Sequence, residues 1–111
     1  MPRTDLTPQQ IARTGLAPTF GSADGVNQNA FYNDGRTYLH AKNGGGSSIN
    51  VTIDTPNTVD GLAISNLVVA VPASGERIIG PFPTNIYNQL DGKVYVDWSG
   101  VTSVTVACLR L

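Results

Sequence analysis

Cysteine, histidine and glutamate each occur once in this chain, at Cys108, His40 and Glu76. A lone cysteine excludes an intrachain disulfide, and one cysteine with one histidine cannot build a zinc cage. Charge is also scarce: 14% of residues are Asp, Glu, Lys or Arg, against about 25% in typical globular proteins. The seven cations, Arg3, Arg13, Arg36, Lys42, Arg77, Lys93 and Arg110, stand singly, and the net charge is −1. No basic patch for nucleic acid is present. The longest aliphatic run, Leu67–Val71, is far too short to cross a bilayer. The opening "MPRTDLTPQQ" holds no apolar leader, so no membrane partner and a cytoplasmic site of folding are expected. With 41% hydrophobic residues and almost no net charge, the chain also lacks the composition of a disordered protein. At 111 residues it makes one domain at most.

What is abundant is turn chemistry. Asp34-Gly35, Asn43-Gly44, Asp60-Gly61, Ser74-Gly75, Asp91-Gly92 and Ser99-Gly100 are dipeptides in which Gly supplies positive φ and the polar residue bonds back to its own backbone. Between them lie alternating stretches. "SINVTI" puts Ile49, Val51 and Ile53 on one face, and "KVYVDW" does the same with Val94, Val96 and Trp98. In the last stretch Val104, Val106 and Cys108 share a face. "RTYLHAK", "LAISNLVVAV" and "ERIIGPF" are further strand candidates. Short strands with turns at this spacing predict an all-β fold, a small antiparallel β-sandwich or jelly-roll-like barrel, over residues 36–111.

Residues 1–35 read differently, as an extended N-terminal arm. "LTPQQIARTG" carries a helix-start pattern, with Thr7 as N-cap, Pro8 at the first helical position and Gln10 three residues on. Gly15 ends it after one or two turns, too few to be stable alone. Beyond it the apolar residues follow neither helical nor strand period. The arm is therefore either disordered or laid along a surface. If it is laid along a partner, Leu6, Ile11, Leu16, Phe20, Phe31 and Tyr32 are the anchors. Pro81 and Pro83 cannot donate to a ladder, so Phe82, Ile86 and Tyr87 fall on an irregular connection. That connection is either a second partner-binding surface or a cap on one end of the sandwich.

Catalytic and metal-binding readings find little support. Asp34 and Asp54 are the acids nearest His40 in sequence, and neither spacing matches a nucleophile–base arrangement. Four of the acids (Asp24, Asp34, Asp60 and Asp91) adjoin a turn glycine, which already accounts for them. Cys108 sits on an apolar face, where a free thiol behaves as a small hydrophobe. "DGVNQNAFYNDG" is rich in oxygen ligands at Asp24, Asn27, Asn29, Asn33 and Asp34, yet lacks the spacing and closing Glu of a calcium loop. "KNGGGSS" lacks the Gly-Lys-Ser/Thr order of a phosphate loop. No catalytic residue, metal or cofactor is expected.

"VPASGERIIGPFP" (71–83) and "VYVDWSGVTSVTVACLRL" (94–111), extended weakly by "GLAPTF" and "FYNDGRTYLHAKNGG", carry a family resemblance. This pattern resembles the small β-sandwich structural proteins of tailed bacteriophage virions, nearest to capsid decoration or minor head proteins. The resemblance implies a non-enzymatic subunit on the capsid exterior, assembled in the bacterial host cytoplasm. Its expected partners are the major capsid protein lattice and copies of itself, a trimer being the favoured homo-oligomer. Head–tail connector or tail subunits share the pattern. A carbohydrate-binding β-sandwich is the alternative from another class, against which only Tyr95 and Tyr38 are expected to point outward.

Overall fold

The computed structural model describes residues 3–111, so the first two residues of the expected arm lie outside the described residues. Among the described residues the fold is all-β, with one four-residue helix. In chain order the elements are β1 (Thr4–Asp5), β2 (Gln9–Gln10), β3 (Gly21–Ser22), β4 (Asn29–Tyr32), β5 (Thr37–Asn43), β6 (Ile49–Ile53), β7 (Thr58–Val59), β8 (Leu62–Ala63), β9 (Leu67–Val71), β10 (Glu76–Ile79), α1 (Thr84–Tyr87), β11 (Lys93–Trp98) and β12 (Val104–Arg110).

Two sheets pack face to face as a β-sandwich. The first runs β1-β4-β11-β6-β9; the second runs β10-β5-β12, with β2 and β3 sharing the far edge of β12. Alternation in sequence becomes the core directly. Val51 and Ile53 from β6, Val94, Val96 and Trp98 from β11, Leu39 and Ala41 from β5, and Val104, Val106 and Cys108 from β12 meet in one buried cluster. Burying each larger aliphatic or aromatic side chain contributes roughly 1.5–3 kcal/mol.

The division of the chain at residue 35 does not hold. β4 lies inside the first sheet, paired with β11 through Lys93↔Tyr32 to Val96↔Asn29, and Phe31 is fully buried in the core. β1 then adds a parallel strand to the free edge of β4. The period was illegible because "NAFY" is only four residues long and one of its inward side chains is Asn29.

The expected helical turn after Thr7 is also absent. Gln9–Gln10 pair in parallel with Leu109 and Arg110, the Ile11 amide donates to the Arg110 carbonyl at 2.9 Å, and only a turn closed by Gly15 N–H to Ala12 C=O follows. A one-turn helix is marginal in water, whereas the edge of β12 offers backbone partners that would otherwise go unmet. The tertiary ladder wins.

Candidate interaction surface

Three buried asparagines brace the ends of the sandwich; the sequence offered Asn29 and Asn33 only as oxygen ligands and Asn43 only as a turn residue. Asn29 accepts from the Trp98 indole N–H at 2.8 Å and from the Asp24 amide at 3.0 Å, while its own amide donates to the Thr4 carbonyl. Asn33 donates to the Phe82 carbonyl at 2.9 Å and to Asn88 Oδ1 at 2.8 Å, and accepts from the Thr37 hydroxyl. Asn43 donates toward the Ser47 and Val71 carbonyls. A buried amide that satisfies both its donor and acceptor groups holds loops in one arrangement. Asn33 and Asn43 each precede a Gly-containing turn, which was the available signal.

The oxygen-rich stretch near Asp24 is committed to the fold apart from Asn27 Oδ1, which no hydrogen bond reaches among the described residues. Asp24 Oδ1 accepts the amides of Val26 and Asn27 at 2.9 Å each, and Oδ2 accepts the Thr4 hydroxyl. These bonds, the Thr4 hydroxyl foremost, hold the Asp24 pKa below its ordinary value. Asn29 and Asn33 are occupied as described. Among the described residues no cluster of His, Cys, Asp and Glu could hold a metal ion.

His40 lies on the outer face of the second sheet with Nε2 2.9 Å from Glu76 Oε2. The ring of Phe20 stands edge-on to it at 5.1 Å. This is an imidazole–carboxylate pair beside an aromatic cover, with no hydroxyl or thiol bonded to it among the described residues. Cys108 is buried, and desolvation pushes its thiol pKa up to about 12, which removes the thiolate at neutral pH. A hollow of about 360 Å³ between Leu6, Gln9, Thr19 and the Ala107–Cys108 stretch of β12 marks where β2 and β3 fail to meet along that edge.

The outer face of the first sheet carries half of the ion pairs among the described residues. Arg3 Nη1 lies 2.7 Å from Asp97 Oδ1, its Nη2 lies 4.0 Å from Asp54, and the guanidinium covers the Tyr95 ring at 4.4 Å. Lys93 bonds Asp5 at 2.9 Å and lies 4.8 Å from the centre of the Tyr32 ring. Burial, with the Asp97 charge beside it, raises the Asp54 pKa, and Arg3 opposes that rise. Tyr32 therefore joins Tyr95 outward on one face, while Tyr38 stands on the other sheet opposite Leu109. Both outward rings of the first sheet already stack a cation, so neither is a bare platform for a sugar ring.

The residues expected to contact partners separate into two groups. Phe31 and Phe82 are core residues, packed on each other with ring centres 5.7 Å apart, and they cannot reach a partner. Tyr87 packs edge-on against Phe82 at 5.4 Å, half-buried like Ile86. That connection caps the end of the sandwich. Leu6 packs against the chain's own core, and Phe20 lies over its own His40 with Lys42 Nζ 4.2 Å from the ring centre. Leu16 is half-buried, and Ile11 and Tyr32 are exposed. The arm thus docks on its own chain. Gln9 secures it by bonding both the amide and the carbonyl of Thr19 at 2.9 Å.

Several apolar side chains face water, among them Val26, Val59, Leu62, Val68, Ile78 and Leu90. β7 and β8 form a hairpin around Asp60-Gly61, both with positive φ, as a two-residue turn of the type matched to strand twist requires. The hairpin exposes Val59 and Leu62, the latter at 71% of its full area. Asn57 ties its base to the Asn88 carbonyl at 3.1 Å. Leu90, two residues beyond Asn88, is fully exposed. The sequence signal was Val-Asp-Gly-Leu, a turn flanked by apolar residues.

Comparison of the chain with protein-family models, curated proteins and solved structures finds no match.

Proposed function

We propose that this chain is a non-enzymatic structural subunit of a phage virion, a decoration protein that packs on the exterior of the assembled capsid and reinforces it. The observation that carries this reading is the exposure of Val59, Leu62 and Leu90 on two segments that the Asn57–Asn88 hydrogen bond ties together. Large side chains held in water on a lightly charged domain lower the free energy only when something covers them. Docking on a protein lattice would gain about 1.5–3 kcal/mol for each one fully buried. A lattice that repeats the site many times raises the effective concentration for linked subunits. The phage resemblance supplies the partner, the major capsid protein. The same side chains would serve a head–tail connector or tail subunit.

The test is co-sedimentation of the purified protein with isolated capsids and, separately, with tail assemblies. Wild-type protein should bind the shell, and Leu62→Asp with Leu90→Asp should abolish binding while leaving the melting curve unchanged. Wild-type protein that ignores capsids, or a double variant that binds as well as wild type, would sink the proposal. Binding to tails alone would transfer it to the connector reading.

A further inference from the structure

The two sheets differ in how their edges are closed, and one edge is left open without any of the usual protection. β1 is a two-residue edge bearing Asp5, β10 carries Glu76 and Arg77, and the far side of β12 is covered by β2 and β3. β9 is different. Its five residues, Leu67–Val71, contain no charge and no proline. Natural edges are ordinarily blunted by just those residues, because a free edge templates further pairing.

The ladder identifies the free backbone groups. In β6 the Asn50 amide donates to Ser99 Oγ at 2.8 Å and the Asn50 carbonyl accepts from Ser99 N–H at 3.0 Å. Asn50 and, by alternation, Thr52 therefore turn their backbone toward β11. Ile49, Val51 and Ile53 turn toward β9, where they meet Val71, Val69 and Leu67. That leaves the N–H and C=O of Val68 and Ala70 aimed at the open side, and among the described residues no hydrogen bond reaches them. The Val68 side chain, on the outer face, is 55% exposed.

We infer that β9 pairs antiparallel with β9 of a second copy of this chain across a two-fold axis at Val69. In that register Val68 faces Ala70 of the other copy, and Ala70 faces its Val68, with four N–H···O bonds closing the seam. Every cross-strand pair is aliphatic, and the large–small alternation of Val68 and Ala70 complements itself on reversal. A strand with no charge carries nothing to select an unlike partner. It also has nothing to repel its own image, which is the condition an isologous contact imposes.

Pairing of one five-residue strand falls short of the roughly 1,200 Å² a stable interface buries. The fold supplies more on the same side. β9 packs across the sandwich on β10 and β5, so β10 lies on the same side of the molecule as the seam. The seam would join two first sheets into one ten-stranded sheet. None of Val59, Leu62 and Leu90 belongs to β9, so the self-association stands apart from the capsid reading.

The experiment is sedimentation equilibrium of the full chain over a wide concentration range, alongside amide exchange of the same samples. The expected result is a monomer–dimer equilibrium in which the Val68 and Ala70 amides become protected as dimer forms. Val68→Lys should weaken dimerisation at least about tenfold, since it sets a charge against the seam. Val26→Lys, at a side chain 85% exposed elsewhere, should leave it unchanged. A monomer at every concentration, a trimer, a dimer indifferent to Val68→Lys, or one whose Val68 and Ala70 amides exchange freely would each overturn the inference. Protection of those amides that arises only when capsids are added would assign the edge to the lattice instead. A monomeric Val68→Lys variant that still binds capsids would separate the two surfaces.

Discussion

The indole N–H of Trp98 donates to Asn29 Oδ1 across 2.8 Å inside the sandwich, joining β11 to the first residue of β4. That bond explains how an asparagine comes to be fully buried on an apolar face, and why the segment before it cannot be a free arm. Trp98→Ala should cost about 3–5 kcal/mol, from lost burial and the cavity left behind. Asn29→Leu should cost about 1–3 kcal/mol, because it leaves the indole N–H and the Asp24 amide without their partner. Urea unfolding of both variants checks this; wild-type stability in either would place the bond outside the structural framework.

Removal of residues 1–20 tests the arm as the structure draws it. β1 and β2 close two sheet edges, and Leu6 packs on the core. The truncated protein should therefore melt well below wild type or aggregate, and Leu6→Ala alone should cost about 1–2 kcal/mol for a half-buried side chain. An unchanged melting curve after truncation would return the arm to the status of a passive tail.

Gly80 has φ of 135°, and a Cβ there would lie 2.7 Å from Tyr38 Cβ. Both the backbone conformation and the space exclude a side chain, so Gly80→Ala should cost roughly 2–4 kcal/mol. Gly46, with nothing within 4 Å, is the matched control, and Gly46→Ala should be nearly neutral. Equal melting temperatures for the two variants would contradict the packing at Tyr38.

Acid should loosen the N-terminal strand first. The Asp24 pKa is lowered by the Thr4 hydroxyl and then by the Asn27 and Val26 amides. The folded state thus binds this proton less tightly than the unfolded chain. The stabilisation is present above the ordinary Asp value of 3.8 and is lost as pH falls through the lower folded value. Asp54 has the opposite sign: its raised pKa makes it a small liability when ionised, relieved as pH falls. Asp24→Asn should remove part of the decline in melting temperature below about pH 4. An identical pH profile in the variant would show that Asp24 is not coupled to the fold.

Strand alternation was legible wherever the run was long enough to show it. The sequence alone determined the all-β class, the inward sets of Val94, Val96 and Trp98 and of Val104, Val106 and Cys108, and the turn at Asp60-Gly61, because side-chain period and positive-φ residues are local properties. Tertiary structure decided the rest. Gln9–Gln10 and Thr4–Asp5 become strands only because β12 and β4 present unpaired backbone to them, and no local pattern encodes a partner roughly 25 to 100 residues away. Phe31 and Phe82 looked like contact residues because each stands in an irregular stretch, and only the closing of the sandwich end places their rings together. The open edge at β9 is likewise invisible in "LVVAV": which side of a strand lacks a neighbour depends on sheet order, and sheet order is a property of the whole chain.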